Sequence, residues 1–92
     1  MKRNRNEIIS EILGICTKGA SKTRVVYQAN LNFRTVDPYL QLLIKNDLIV
    51  ASQGPHVLYE TTEKGMKLMK TINQVHSTLA EYQESVPSLT TA

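Results

Sequence analysis

Apolar residues in the first part of the chain recur with the period of a helix that buries one face. They follow an i, i+1, i+4, i+5, i+8 pattern and are Ile8, Ile9, Ile12, Leu13 and Cys16. Gly19 comes next, and glycine often ends helices because it enters the left-handed backbone region at low cost. The pattern predicts a first helix from about Arg5 to Lys18.

A short second helix is predicted directly after this glycine. Ser21 is a favourable N-cap residue for a helix that runs from Lys22 to about Ala29. Its inward-facing residues are Val25, Val26 and Ala29. The segment 30–32, Asn-Leu-Asn, ends the helix because asparagine tolerates the left-handed backbone and favours turns. The lone leucine of this segment is predicted to pack into the core.

A third helix is predicted to begin with Thr35 as its N-cap. Asp37 in the first turn suits the positive end of the helix dipole, and Pro38 is tolerated there because its missing amide has no helical partner. The inward-facing residues are Val36, Leu40, Leu43 and Ile44. Gln41 and Lys45 lie on the opposite face with Asp37, and the segment 46–47 ends the helix.

Two short β-rich runs, residues 48–51 and 57–60, follow and are separated by a turn with glycine and proline. This pattern predicts a β-hairpin. Thr62 is then the predicted cap of a fourth helix that begins at Glu63. The order of helix, short helix, turn, helix, hairpin and long helix is that of a winged helix-turn-helix protein. The predicted fold class is therefore mainly α (α+β).

The fourth helix carries the most regular apolar pattern, with the alternating three- and four-residue spacings of a coiled coil. From Gly65 onward, Ile72, Leu79 and Val86 occupy a positions, and Leu68, Val75 and Tyr82 occupy d positions. A helix from Glu63 to about Glu84 is about 33 Å long, longer than a small winged-helix body needs. Its distal apolar residues would face water in a monomer. We therefore predict a homodimer through Leu68, Ile72, Val75, Leu79 and Tyr82.

The alternative is a long helix that folds back on its own domain. The flanking e and g positions carry no fixed charge pattern, so the heptads do not choose between parallel and antiparallel pairing.

The net charge of +3 conceals an asymmetry along the chain. Residues 1–34 hold seven basic and two acidic residues, whereas residues 35–92 hold four basic and six acidic residues. A basic half joined to a mildly acidic half indicates an anionic partner, of which nucleic acid is the commonest. A solvated surface that happens to be basic is the alternative.

Three stretches, in the same order, resemble small archaeal winged-helix DNA-binding proteins of the Sulfolobus 10-kDa "10a" type. They are residues 22–32 (KTRVVYQANLN), Tyr39-Leu40-x-x-Leu43 with Leu48-Ile49, and Tyr59-x-Thr61-Thr62-Glu63-Lys64-Gly65 at the start of the last helix. Proteins of this type are homodimers, joined by an antiparallel coiled coil of their C-terminal helices, with two heads that bind DNA. The resemblance implies the same antiparallel pairing here and double-stranded DNA as the partner. We expect a DNA-binding head over residues 1–62, a dimerisation helix over 63–86 and a flexible tail over 87–92.

The candidate DNA-binding residues lie on three elements. The third helix presents outward Arg34, Thr35, Gln41 and Lys45. The start of the second helix, which crosses the DNA backbone in helix-turn-helix docking, offers phosphate contacts from Lys22, Thr23 and Arg24. The wing tip lacks lysine and arginine, so we expect only slight contact from Gln53 and His56.

Several of these side chains have more than one interpretation. Glutamine pairs with adenine, and arginine or lysine with guanine, in the major groove. Thr35 and the amides that it caps could instead hold a phosphate. Asp37 is either an acceptor for cytosine or a partner of the helix dipole, and the third helix could also present an ordinary solvated face. The basic segment 2–5 is either a phosphate-binding arm or a solubilising start.

The remaining patterns argue against an enzyme. No phosphate-binding glycine loop, paired carboxylates or nucleophile–base pair is visible, and Cys16 fits the core better than a nucleophile. We expect no cofactor, metal, membrane contact or small-molecule substrate, and a cytoplasmic, nucleoid-associated location. Two functions stay open: a DNA-binding transcription regulator or chromatin protein, and a winged-helix module that binds proteins instead of DNA.

Overall fold

The computed structural model describes residues 3–85, with side chains up to residue 79. The first helix, α1, spans Arg5–Ile15 and is capped reciprocally. The Asn4 side chain accepts from the Glu7 amide at 2.8 Å, and the Glu7 carboxylate accepts from the Asn4 amide at 3.2 Å. A 3-10 turn, Cys16–Lys18, continues the helix to Gly19, where φ is 88°. The predicted end at Lys18 is confirmed, although its last three residues are 3-10.

The second helix, α2, spans Lys22–Ala29, as the sequence predicts. Ser21 caps it by accepting a hydrogen bond from the Arg24 amide at 3.1 Å. Asn30 ends it in the left-handed region with φ 55°. Leu31 is partly buried and packs against the core, as the sequence predicts.

The third helix, α3, spans Phe33–Lys45, so the predicted start at Thr35 is wrong by two residues. Asn32 is the N-cap, and its side chain accepts from the Thr35 amide at 2.8 Å. Asparagine caps helices at least as well as threonine. Asp37 and Pro38 therefore lie in the second turn, beyond the reach of the favourable helix-end interactions that the sequence suggested for them.

The wing is an antiparallel hairpin of two strands, β1 Ile49–Ala51 and β2 Tyr59–Thr61. The second strand begins two residues later than predicted because a third segment fixes it: Ala20 and Tyr59 exchange backbone hydrogen bonds of 2.9 and 2.8 Å. Residues 52–58 form the connecting loop. Ser52 closes this loop, since its amide donates to the Leu58 carbonyl and its hydroxyl accepts from the Leu58 amide, both at 2.8 Å.

The fourth helix, α4, spans Glu63–Ser85. Thr62 caps it by accepting from the Gly65 amide at 3.0 Å, which confirms the predicted cap. The same hydroxyl donates to the Asp47 carbonyl at 2.6 Å, and the Thr62 amide donates to the Leu48 carbonyl at 3.0 Å. The start of α4 is thus tied to the segment between α3 and β1, and the predicted fold class with its long C-terminal helix is confirmed.

One core joins these elements, with α1 packed along the first half of α4. Its fully buried large side chains are Ile12, Leu13, Leu40, Leu43, Ile49, Val25, Val36 and Cys16. Ile72 is the last buried residue of α4 whose side chain the structure describes. The helix therefore belongs to the head up to Ile72 and extends beyond the core after it. Val86 and the predicted tail 87–92 lie outside the described residues.

Gly65 lies where α4 approaches the loop before the wing most closely. A Cβ atom there would lie 2.2 Å from the Leu48 carbonyl oxygen and 2.7 Å from the Thr61 Cγ2. We expect Gly65→Ala to lower the free energy of unfolding by about 3 kcal/mol, because the Leu48 carbonyl can withdraw only if the backbone moves. Denaturant unfolding followed by circular dichroism measures this loss.

Gly14→Ala is the matched control, since Gly14 is also helical and an added Cβ there meets only Met69 Sδ, at 3.6 Å. Alanine should stabilise α1 at this position by up to about 1 kcal/mol. Equal stability changes in the two variants would contradict the close approach at Gly65.

Candidate nucleic-acid interface

Helices α2 and α3, joined by residues 30–32, form the helix-turn-helix unit. The inner face of α3 buries Val36, Leu40 and Leu43. Its outward residues form a stripe along the helix and comprise Arg34, Asp37, Pro38, Gln41 and Lys45. The structure thus brings three of the candidate residues, Arg34, Gln41 and Lys45, onto one exposed face.

Thr35, the fourth candidate on α3, is only half-exposed. Its amide donates to the Asn32 side chain at 2.8 Å and to the Asn32 carbonyl at 3.1 Å. Because this amide is engaged within the cap, Thr35 does not organise a phosphate site as an N-cap residue would.

An ion pair joins the start of α2 to α3. Lys22 Nζ lies 2.5 Å from Asp37 Oδ1, with both side chains partly exposed. The hydrogen bond to Asp37 raises the pKa of Lys22 above its ordinary value. Asp37 is therefore the partner of a lysine on the neighbouring helix, and the predicted dipole role in a first turn is wrong.

The other two candidates on α2, Thr23 and Arg24, are exposed beside Lys22. Arg3 lies near the opposite end of α2: its guanidinium forms an ion pair with Glu11 and donates to the Asn30 carbonyl at 3.3 Å. This part of the basic N-terminal segment is held against the head.

The remaining candidates, Gln53 and His56, are exposed in the loop of the wing. The structure places them on the hairpin and not on the helix-turn-helix unit. The wing also exposes the apolar side chains of Val50, Val57 and Leu58.

Two exposed aromatic side chains lie beside the turn, and Phe33 is absent from the site residues that the sequence predicts. Tyr27 on α2 is 79% exposed and Phe33 at the first position of α3 is 49% exposed. The signal that points to Phe33 is the N-cap. With Asn32 as the N-cap residue of α3, Phe33 is the first residue of the helix and therefore a candidate for contact at its N-terminal end.

The distal part of α4 has an unpaired apolar face. Val75 and Leu79 are 52% and 53% exposed, whereas Ile72, one turn earlier, is buried. These residues line a groove of about 330 Å³ with Leu68 and with Ile9 of α1. Tyr82 continues the heptad along α4, and its side chain lies outside the described part of the chain.

Other chemistry is not indicated in the described part of the chain. Cys16 is fully buried, and burial raises the pKa of its thiol to about 11, so the nucleophilic thiolate is disfavoured. Residues 3–85 hold no group of three or more potential metal ligands among histidine, cysteine and acidic side chains. Within the same range, no helix combines the length and the apolar character needed to span a membrane.

The chain belongs to the winged helix-turn-helix family, which it matches over residues 2–80. It is 37% identical to the uncharacterized protein MJ0287 of Methanocaldococcus jannaschii over 80% of this chain and 74% of that protein. A second uncharacterized protein of that archaeon, MJ0290, is 36% identical and is matched over 35% of its own length.

Among solved structures, the chain is similar to Sso10a-2, a DNA-binding protein from Sulfolobus solfataricus. The TM-score is 0.81 at 31% identity, over 95% of this chain and 96% of that protein. The likeness supports the resemblance to the Sulfolobus "10a" type that the sequence motifs indicate. The chain also shares its fold with Lactococcus lactis ZitR in complex with DNA, with a TM-score of 0.66 at 18% identity over 95% of this chain and 63% of ZitR.

Proposed function

We propose that this protein is a homodimer that binds duplex DNA through α3 and the basic start of α2, as a transcription regulator or a chromatin-associated protein of the nucleoid. The observation that carries the proposal is the exposed stripe of α3, where Arg34, Gln41 and Lys45 stand on one face. The likeness to Sso10a-2, described as a DNA-binding protein, supports it.

Recognition of bases falls to α3, the second helix of the helix-turn-helix unit. Gln41 stands in the middle of the outward stripe, and its amide can pair bidentately with adenine. Arg34 and Lys45, a turn or more away on either side, reach guanine or phosphate oxygens. Thr35, half-exposed between Arg34 and the buried face, adds at most a contact at the edge of the stripe.

Phosphate contacts fall to the start of α2, where Lys22, Thr23 and Arg24 cluster. Lys22 can bridge Asp37 and a phosphate, because an ammonium group has three donors. Gln53 and His56 on the wing add weak contacts, since neither carries a fixed positive charge.

The two protomers pair through α4. The residues at the interface of the two helices, the seam, are Leu68, Ile72, Val75, Leu79 and Tyr82. Half-exposed Val75 and Leu79 supply the apolar surface that a partner helix would cover. The resemblance implies antiparallel pairing. This pairing would place the two heads, each formed by residues 1–62, at opposite ends of a stalk formed by residues 63–86 of both protomers.

The test of DNA binding is a titration at two or more salt concentrations. A protein that neutralises phosphates releases counterions, so its affinity falls steeply with salt. We expect Lys22→Ala with Arg24→Ala to weaken binding to all duplexes and to lower the salt slope by about one to two units for each bound head. An affinity and a slope equal to wild type would contradict the placement on α2. No binding to any duplex would favour a protein-binding module.

Asp37→Asn is the counterpart of the Lys22→Ala, Arg24→Ala variant, and it should change the DNA affinity in the opposite direction. It removes a negative charge from the face of α3 and releases Lys22 from its ion pair. The released lysine remains charged at neutral pH, because the ordinary pKa of a lysine is about 10.4. We expect the affinity for all duplexes to rise about two- to fivefold, the size of an exposed charge interaction. A lower affinity would show that the ion pair is needed to position the two helices on DNA.

A further inference from the structure

Phe33 exposes about half of its side chain at the first position of α3. Phenylalanine is usually buried in folded domains. Neither capping nor core packing explains an aromatic residue here. Asn32 supplies the cap, and Leu31 and Val36 occupy the two positions of a hydrophobic staple within the core.

The two exposed aromatic residues beside the turn differ in their need for a partner. Tyr27 carries a hydroxyl group that water satisfies. The side chain of Phe33 has no polar atom, so covering its exposed ring with an apolar group lowers the free energy. The adjacent Arg34 makes the surroundings cationic, and Asp37, one turn along the helix, is already paired with Lys22. These surroundings favour an anionic partner over an apolar protein surface.

The position of Phe33 on α3 determines what part of DNA it would meet. In helix-turn-helix docking, the N-terminal residues of the recognition helix contact base edges in the major groove. The apolar group that bases offer there is the C5-methyl group of thymine. We propose that Phe33 is a specificity-determining residue that packs its ring against a thymine methyl group; this inference rests on the proposed DNA binding through α3.

The experiment compares two duplexes of one alternating A·T sequence, one with thymine and one with deoxyuridine, which lacks the C5-methyl group. Burying one methyl group is equivalent to about a fourfold gain in affinity. We therefore expect wild type to bind the thymine duplex about fourfold more tightly for each bound head. Phe33→Ala should bring this ratio close to one while keeping the salt slope.

Deoxyuridine also changes duplex flexibility, so the comparison of variants isolates the methyl contact. Leu58→Ala is the matched control. Leu58 is 47% exposed, a fraction similar to that of Phe33, but it lies on the wing. Its removal should leave the thymine preference at the wild-type ratio. If Phe33→Ala folds poorly by circular dichroism, Phe33→Gln provides a polar, helix-compatible replacement with the same expected loss of preference.

Each outcome decides the inference. A wild-type ratio near one overturns it, as does a ratio that persists in Phe33→Ala or Phe33→Gln. An equal loss of preference in Leu58→Ala overturns it as well, because the effect would then not belong to α3. Failure of wild type to bind either A·T duplex overturns the inference, whereas failure to bind any duplex rejects the proposed DNA binding itself and the inference with it.

Discussion

Leu79→Asp is expected to convert the proposed dimer into monomers. Leu79 occupies an a position of the heptad, is half-exposed and lines the groove between α1 and α4. A carboxylate in an apolar seam loses its hydration without gaining a partner. Because the head is anchored through buried Ile72, the variant should still fold. Analytical ultracentrifugation measures the change in mass.

The same variant should lose DNA affinity by about 100-fold or more, because two linked heads bind with a high effective concentration that separate heads lack. Ser77→Asp is the matched control. It adds the same charge to α4 at an exposed f position, away from the seam. A Leu79→Asp protein that sediments as a stable dimer would show that the interface lies elsewhere.

Gln41→Ala is expected to narrow the difference in affinity between preferred and random duplexes. Gln41 is exposed in the middle of the outward stripe of α3, opposite buried Leu40 and Leu43. A good bidentate contact to a base discriminates by about 1–3 kcal/mol, whereas a phosphate contact discriminates hardly at all. Competition binding with both duplexes measures the ratio. Folding should be unaffected because the side chain makes no buried contact.

Gln28→Ala serves as the control, since Gln28 is an exposed glutamine on α2 and not on the recognition helix. A preference that survives in Gln41→Ala would assign base recognition to another face of α3. A wild-type protein without any preference would be a general DNA binder, which favours the chromatin role over the regulatory one.

The fold could be predicted to a large extent because its signals are local. Ser21 and Thr62 each cap a helix with their own side chain, and Asn30 ends α2 in the left-handed conformation. Such signals act over three or four residues and do not depend on the rest of the chain. The order of elements then identified the winged helix before any contact between them was known.

The start of α3 shows where local signals were insufficient. Asn32 and Thr35 are both acceptable N-cap residues, and the predicted start relies on Thr35. In the structure the Asn32 side chain caps the Thr35 amide, with Leu31 and Val36 in the core on either side. The core contacts of Leu31 and Val36 therefore favour the earlier start, and Phe33 is then the exposed first residue of the helix.

The sequence by itself determined the helices, the hairpin, the outward stripe of α3 and the apolar repeat of α4. These features depend on periodicity and capping, which are encoded in neighbouring residues. Only the tertiary structure decided the Lys22–Asp37 pair, the register of β2 against Ala20 and the close approach at Gly65. Each of these joins residues distant along the chain, and the distance between such residues depends on how all the elements pack together.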